Sequence, residues 1–110
     1  MINNNKAYSM IGLAKKAGKI LTGSDVCERG LKANKINLLI ISEDASEGTK
    51  KNFQNMCKYR NISFKIFGNR ETLGKFTGND QIVVIGICDQ GFSDVISGLI
   101  DEFGNIGGIL

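Results

Sequence analysis

Leu38-Leu39-Ile40-Ile41 is an unbroken run of large aliphatic residues, followed at once by the polar Ser42-Glu43-Asp44. A strand with one face in water alternates apolar and polar residues, so a run without alternation marks a strand covered on both faces. Gln81 to Cys88 reads the same way and is the most strand-like segment of the chain. Ser63 to Phe67 alternates, and Lys19 to Leu21 fits one further short strand.

Helical periodicities separate these strands. Ala7, Met10, Ile11, Ala14 and Ala17 share one face of a first helix, with Gly18 as its stop. Thr22-Gly23-Ser24 reads as a turn and a second helix start, Ser24 supplying the cap, and that helix runs to about Ala33. It buries Cys27 and Leu31 and leaves Asp25, Arg29 and Lys32 on its outer face at i, i+4 and i+7. Asp44-Ala45-Ser46-Glu47 has the form of a capping box opening a third helix, whose inner side holds Phe53, Met56 and Cys57. Asn69 caps a short fourth helix through Phe76. A fifth carries Phe92, Val95, Ile96, Leu99, Ile100 and Phe103 and stops at Gly104. The order α-β-α-β-α-β-α-β-α, with nearly continuous apolar strands, predicts an α/β domain whose sheet has helices on both faces.

At 110 residues and 42% hydrophobic content the chain makes one globular domain, expected over residues 6–104, with residues 1–5 and 105–110 as flexible ends. The longest apolar run, Ile82 to Cys88, is far short of the roughly 18 residues a membrane span needs. No secretory pattern opens the chain, so a cytoplasmic protein is expected. Without histidine there is no imidazole base and no histidine metal ligand. Cys27, Cys57 and Cys88 lack the paired spacing of zinc or redox motifs, so no metal and no cofactor is expected and the three read as buried structural thiols. Gly12 to Lys19 fails as a phosphate-binding loop, because the spacing is one residue off and Ile20 stands where a hydroxyl should bind magnesium.

The net charge of +3 is unevenly spread. Residues 1–36 carry seven basic residues against two acidic, residues 37–79 seven against four, and residues 80–110 five acidic and none basic. Such separation points to a basic face for a polyanion. Thr22-Gly23-Ser24-Asp25 with Arg29 is the best candidate for a site. A glycine at a helix start admits another backbone closely, and first-turn N–H groups attract phosphate oxygens. Asp25 can accept from a guanine edge, and Arg29 can hold phosphate or base.

From about Ala7 to Leu99 the chain resembles the kink-turn RNA-binding ribosomal protein family of the L-seven-Ae and L-thirty-e type. The likeness rests on Ile11-Gly12-Leu13-Ala14-Lys15-Lys16-Ala17-Gly18-Lys19, Thr22-Gly23-Ser24-Asp25, Leu38 to Ser46, Leu73-Gly74 with Gly78, and Asp89-Gln90-Gly91-Phe92. The first and last of these look most like the bacterial YlxQ-type branch. The resemblance implies a three-layer α/β/α sandwich around a mixed four-stranded sheet, and RNA binding without catalysis. In the family the turn at Gly23 meets sheared G·A pairs with the pattern Gly-x-Asn-Glu-x-x-Lys. Here Gly23 is kept, Asp25 and Val26 replace the Asn-Glu pair, and Arg29 replaces the lysine. Arg70 matches a basic position near the extruded nucleotide, Ser46 stands where some relatives have an acid, and Asn79 to Ile82 forms the second contact loop.

The expected partner is therefore structured, kink-turn-like RNA, ribosomal in origin, on a ribosome-associated protein with no membrane and no metal partner. Gly23, Ser24 and Asp25 read the non-standard pairs, while Lys15, Lys16, Lys19, Arg29 and Lys32 contact phosphates, with Arg70 on the flank. Two alternatives are a protein–protein adaptor docking a basic partner on the acidic last third, and an RNA-binding partner of a separate RNA-modifying enzyme.

Overall fold

A computed structural model describes the chain from residue 5 to 109, and its side chains as far as Glu102. Five helices alternate with four strands: α1 (Asn5–Lys16), β1 (Ile20–Thr22), α2 (Ser24–Lys32), β2 (Leu38–Ile41), α3 (Glu47–Arg60), β3 (Ser63–Ile66), α4 (Arg70–Thr77), β4 (Val84–Ile87) and α5 (Gln90–Ile109). The sheet order is β1-β4-β2-β3. Strands β2 and β3 run parallel, and β4 is antiparallel to both its neighbours. The sheet is thus mixed and four-stranded, as the resemblance implied.

The unbroken aliphatic strands divide their side chains between two cores. Leu38, Ile40, Ile85 and Ile87 face α1, α4 and α5, together with Ile11, Leu73 and Ile96. Leu39, Ile41 and Val84 face α2 and α3, with Leu31, Phe53 and Cys57. This is the three-layer α/β/α sandwich. Two glycines bring α2 close to the sheet: a Cβ on Gly30 would stand 2.7 Å from Leu21 and one on Gly86 2.5 Å from Ile36.

Several boundaries differ from the sequence reading. The cap of α3 is Ser46, whose hydroxyl accepts from the Thr49 N–H at 3.1 Å, and not Asp44. The chain turns at residues 43–46, so the helix starts later and Asp44 is free for another partner. Ser24 is the first residue of α2 and makes no side-chain cap; the N-cap position belongs to Gly23. Strand β4 begins only at Val84, because the residues before it lie along α4. Helix α5 runs through Gly104, since a glycine with helical torsions weakens a helix by about 1 kcal/mol without ending it. Of the ends expected to be flexible, 1–5 and 105–110, residues 1–4 and Leu110 lie outside the described residues, as do all side chains from Phe103 on. The backbone of Asn5 belongs to α1 and that of 105–109 to α5. The stop of α1 matches: Gly18 has φ 73°, and the Lys19 N–H reaches back to the Ala14 carbonyl.

Cys27 and Cys57 are buried, and burial pushes their thiols up to about 12 and about 11. Cys88 is only half-buried, unlike the expected core thiol, because it lies just past β4. Burial raises its pKa while the charges of Lys35 and Lys19 oppose the shift. In the native protein a disulfide reagent at pH 8 is expected to label Cys88 first and the other two only on unfolding, since attack needs exposed thiolate. Mass spectrometry of the singly labelled protein checks this; first labelling at Cys27 or Cys57 would contradict the packing.

Candidate functional site

Strands β1, β2 and β3 finish at one end of the sheet, where β4 begins, and four connections are laced together there. The Gly23 N–H donates to the Val84 carbonyl at 3.0 Å, Ser42 to Val83 at 2.8 Å, Glu43 to Gly68 at 2.8 Å and Ile82 to Arg70 at 3.0 Å. Beneath them the buried Tyr8 packs its ring against Phe67, with its hydroxyl beside Gly68. Burial raises the Tyr8 pKa, against a hydrogen bond from the Asn69 backbone.

Gly23 is the corner of this end. It turns the chain from β1 into α2 at φ 98° and ψ 152°, a conformation open almost only to glycine. A Cβ there would meet nothing within 4 Å, so the corner faces open space. No side chain caps the first turn of α2, whose N–H groups have no partner within the helix, and Ser24 and Asp25 in that turn are exposed. One turn on, Arg29 is exposed and makes no ion pair among the described residues. Val26, in the position of the family's glutamate, is half-buried. Lys32 is exposed and shares an ion pair with Glu28 at 3.4 Å.

Arg70 stands at the same end, already engaged. Its guanidinium donates to the Asp44 carbonyl at 2.6 Å and lies 3.5 Å from the carboxylate, which also accepts from the Arg70 N–H at 3.0 Å. Slight desolvation pushes the Asp44 carboxyl up; the Ser42 hydroxyl, the Arg70 N–H and the guanidinium charge more than reverse it, leaving it below the usual value. Asp44, assigned by its sequence spacing to a helix cap, is instead the clamp that fixes α4 against β2. The capping-box pattern of Asp44 to Glu47 could not reveal it, because its partner is 26 residues away.

The loop 79–82 doubles back along α4. A Cβ on Gly74 would stand 2.8 Å from the Asn79 carbonyl oxygen and 2.9 Å from that of Asp80, so only glycine lets the loop lie there. Its end at Ile82 therefore returns to the Gly23 end of the sheet.

Lys15, Lys16 and Lys19 are exposed but sit elsewhere. The Lys19 carbonyl accepts from Cys88, beyond the far end of β4, and the last turn of α1 ends beside it. Along β1 that is about 13 Å from Gly23. The expected site residues thus spread over three places: Gly23, Ser24, Asp25, Arg29 and Arg70 toward the corner, Lys32 in the last turn of α2, and Lys15, Lys16 and Lys19 at the opposite end. Missing from the sequence reading was Lys75, which lines an open groove of about 620 Å³ with Lys15, Lys16, Leu13 and Phe76. The spacing of 59 residues between Lys16 and Lys75 gives no local signal for it. Among the described residues, no cluster of three or more His, Cys, Asp or Glu is placed to hold a metal, and no helix is long and apolar enough to cross a membrane.

The chain is 31% identical over 94 residues to a protein of Bacillus subtilis (strain 168) named RNA-binding protein YlxQ, covering 86% of this chain and 94% of the relative. It is 33% identical over 100 residues to the Enterococcus faecium protein of the same name, covering 90% and 95%. Its fold matches a solved protein of unknown function from Bacillus halodurans C with a TM-score of 0.85 at 38% identity, over 87% of this chain and 97% of that one. The Giardia lamblia 15.5kD RNA binding protein shares the fold with a TM-score of 0.72 at 15% identity, over 94% and 86%. Residues 5–97 match the family model itself, and the chain belongs to the ribosomal protein L7Ae/L30e/S12e/Gadd45 family.

Proposed function

We propose that this protein is a non-catalytic RNA-binding protein of the cytoplasm, associated with the ribosome, that holds structured, kink-turn-like RNA at the Gly23 corner. The observation that carries the reading is the bare start of α2: a glycine with open space on its outer side, followed by a first turn that no side chain caps. An RNA backbone approaches there without meeting a side chain, and the helix terminus favours its negative charge. Asp25 accepts from guanine edges of non-standard pairs, and Arg29 holds a phosphate one turn on. The names of the B. subtilis and E. faecium relatives agree with this chemistry.

Recognition is by shape more than by base sequence, because the deep groove of A-form RNA hides base edges. With Val26 in place of a glutamate, the carboxylate comes from the position before it. Lys32 adds charge on the outer face of α2, and Arg70 borders the corner while keeping its bond to Asp44. Strand β1 is a sheet edge, so a stem continuing along it from the corner reaches Lys19, Lys15 and Lys16 at the other end.

A salt titration with a kink-turn RNA and a straight duplex of equal length tests the reading. The kink-turn is expected to bind more tightly at every salt concentration. Arg29→Glu is expected to weaken it at least tenfold and to flatten the log–log salt slope by about one, with an unchanged unfolding midpoint. Equal weak binding of both RNAs would favour a protein adaptor, and wild-type affinity in the folded variant would remove Arg29 from the site.

A further inference from the structure

The groove between α1 and α4 joins three cations to an apolar floor. Lys15, Lys16 and Lys75 stand around it, all exposed, and none forms an ion pair among the described residues. The described lining includes no acid: Glu71, one turn before Lys75, and Asp80, past the end of α4, lie outside it. On the floor, the half-buried Phe76 ring is held by stacking on Tyr8 at 5.3 Å, and Leu13 is 51% exposed. Gly12 completes the floor, and packing within the chain gives no reason for a glycine there. A Cβ on Gly12 would stand 3.6 Å from the Phe76 carbonyl oxygen and 3.7 Å from its ring, which is ordinary contact, and alanine is the better residue inside a helix. Gly30, Gly74 and Gly86, by contrast, are pressed by their neighbours. What the missing side chain keeps open is the groove, whose volume of about 620 Å³ is that of a ligand pocket.

We propose that this groove is a second RNA site, which takes unpaired nucleotides of a single strand. The bases lie on the Gly12, Leu13 and Phe76 floor, and Lys15, Lys16 and Lys75 hold the phosphates. A duplex would meet the lysines but not the floor, because its base faces are stacked on one another. An unpaired nucleotide brings a bare base face and a phosphate together, which is what an apolar floor ringed by cations matches. The groove also leads away from the corner. From Tyr8, whose hydroxyl lies beside Gly68, to Lys16 is about 12 Å along α1. Lys15 and Lys16 are then a junction, where a stem laid along β1 ends and its single strand enters the groove. Such a site rests on the chain being an RNA-binding protein, and on none of the contacts proposed at Gly23.

Binding isotherms of the full chain with a kink-turn RNA and a straight duplex, each with and without an unpaired oligouridine tail on either stem end, test the site. A tail is expected to raise the affinity of both RNAs about tenfold. Lys75→Gln combined with Leu13→Ser, and separately Gly12→Leu, which fills the floor without changing charge, are expected to cancel that gain and to leave the untailed RNAs unaffected. Arg29→Glu is expected to do the reverse, weakening the kink-turn RNA while keeping the gain from the tail. Circular dichroism shows that each variant is folded, and iodouridine placed in the tail is expected to crosslink to Phe76 under ultraviolet light. A tail that adds no affinity, or a gain that survives in both groove variants, would overturn the site whatever happens at Gly23. A gain that the groove variants abolish on the straight duplex would support it even where the kink-turn preference fails. No gain from the tail, together with binding of a leucine-containing oligoglutamate peptide that Lys75→Gln abolishes, would give the groove to a protein instead.

Discussion

Gly74→Val is expected to lower the stability of the protein by about 2–3 kcal/mol, the usual cost of forcing extra atoms into a filled site. In a chain of this size that corresponds to a fall in melting temperature of roughly 10 °C. Helix propensity alone points the other way at this position: Gly74→Ala should gain about 1 kcal/mol in an isolated helix. The sign reverses because the added Cβ would stand 2.8 and 2.9 Å from two backbone carbonyl oxygens. Those carbonyls cannot retreat cheaply, since the Asn79 N–H is bonded to Gly74 at 2.8 Å and the Ile82 N–H to Arg70 at 3.0 Å. Urea unfolding of both variants checks this. A stabilised Gly74→Ala protein would show that loop 79–82 does not lie on α4.

Gly23→Ala tests the opposite kind of glycine. Its Cβ would enter open space, so no clash is expected, but φ 98° with ψ 152° is a conformation that costs a residue with a side chain about 1–3 kcal/mol. The protein stays folded, because domains of this type have about 5–15 kcal/mol in hand. Affinity for a kink-turn RNA is nonetheless expected to fall at least tenfold, as the methyl group lies where the proposed backbone contact is made. Unfolding curves and binding isotherms on the same preparation separate the two effects. A variant of reduced stability with unaltered RNA affinity would move the RNA away from this corner.

The comparison of Gly74 with Gly23 also shows what the sequence could convey. Both lie in stretches that resemble the family, yet only the structure distinguishes a residue chosen for space from one chosen for torsion. Element order, strand identity and the two buried faces were legible, because Leu38 to Ile41 and Val84 to Ile87 lack alternation and the helices between them keep their period. The start of α3 was misassigned because Asp44 and Ser46 both have capping chemistry, and only the turn at 43–46 decides between them. The grouping of Gly23 to Arg29 at one turn and helix start was legible, because these residues are consecutive along the chain. The separation of Lys15, Lys16 and Lys19 from that corner was not legible, since nearness along the chain hides the length of β1. Nor could Lys75 be joined to them before the packing of α1 on α4 was known.

The contacts at Gly30, Gly86 and Ile36 leave α2 no room to settle inward. A helix seated that firmly cannot swing to meet an incoming molecule, so the protein offers a rigid template on that side, and whatever docks on its first turn must supply the bending. Association at the corner would then resemble a flexible strand wrapping a fixed peg, with its entropic penalty carried by the nucleic acid.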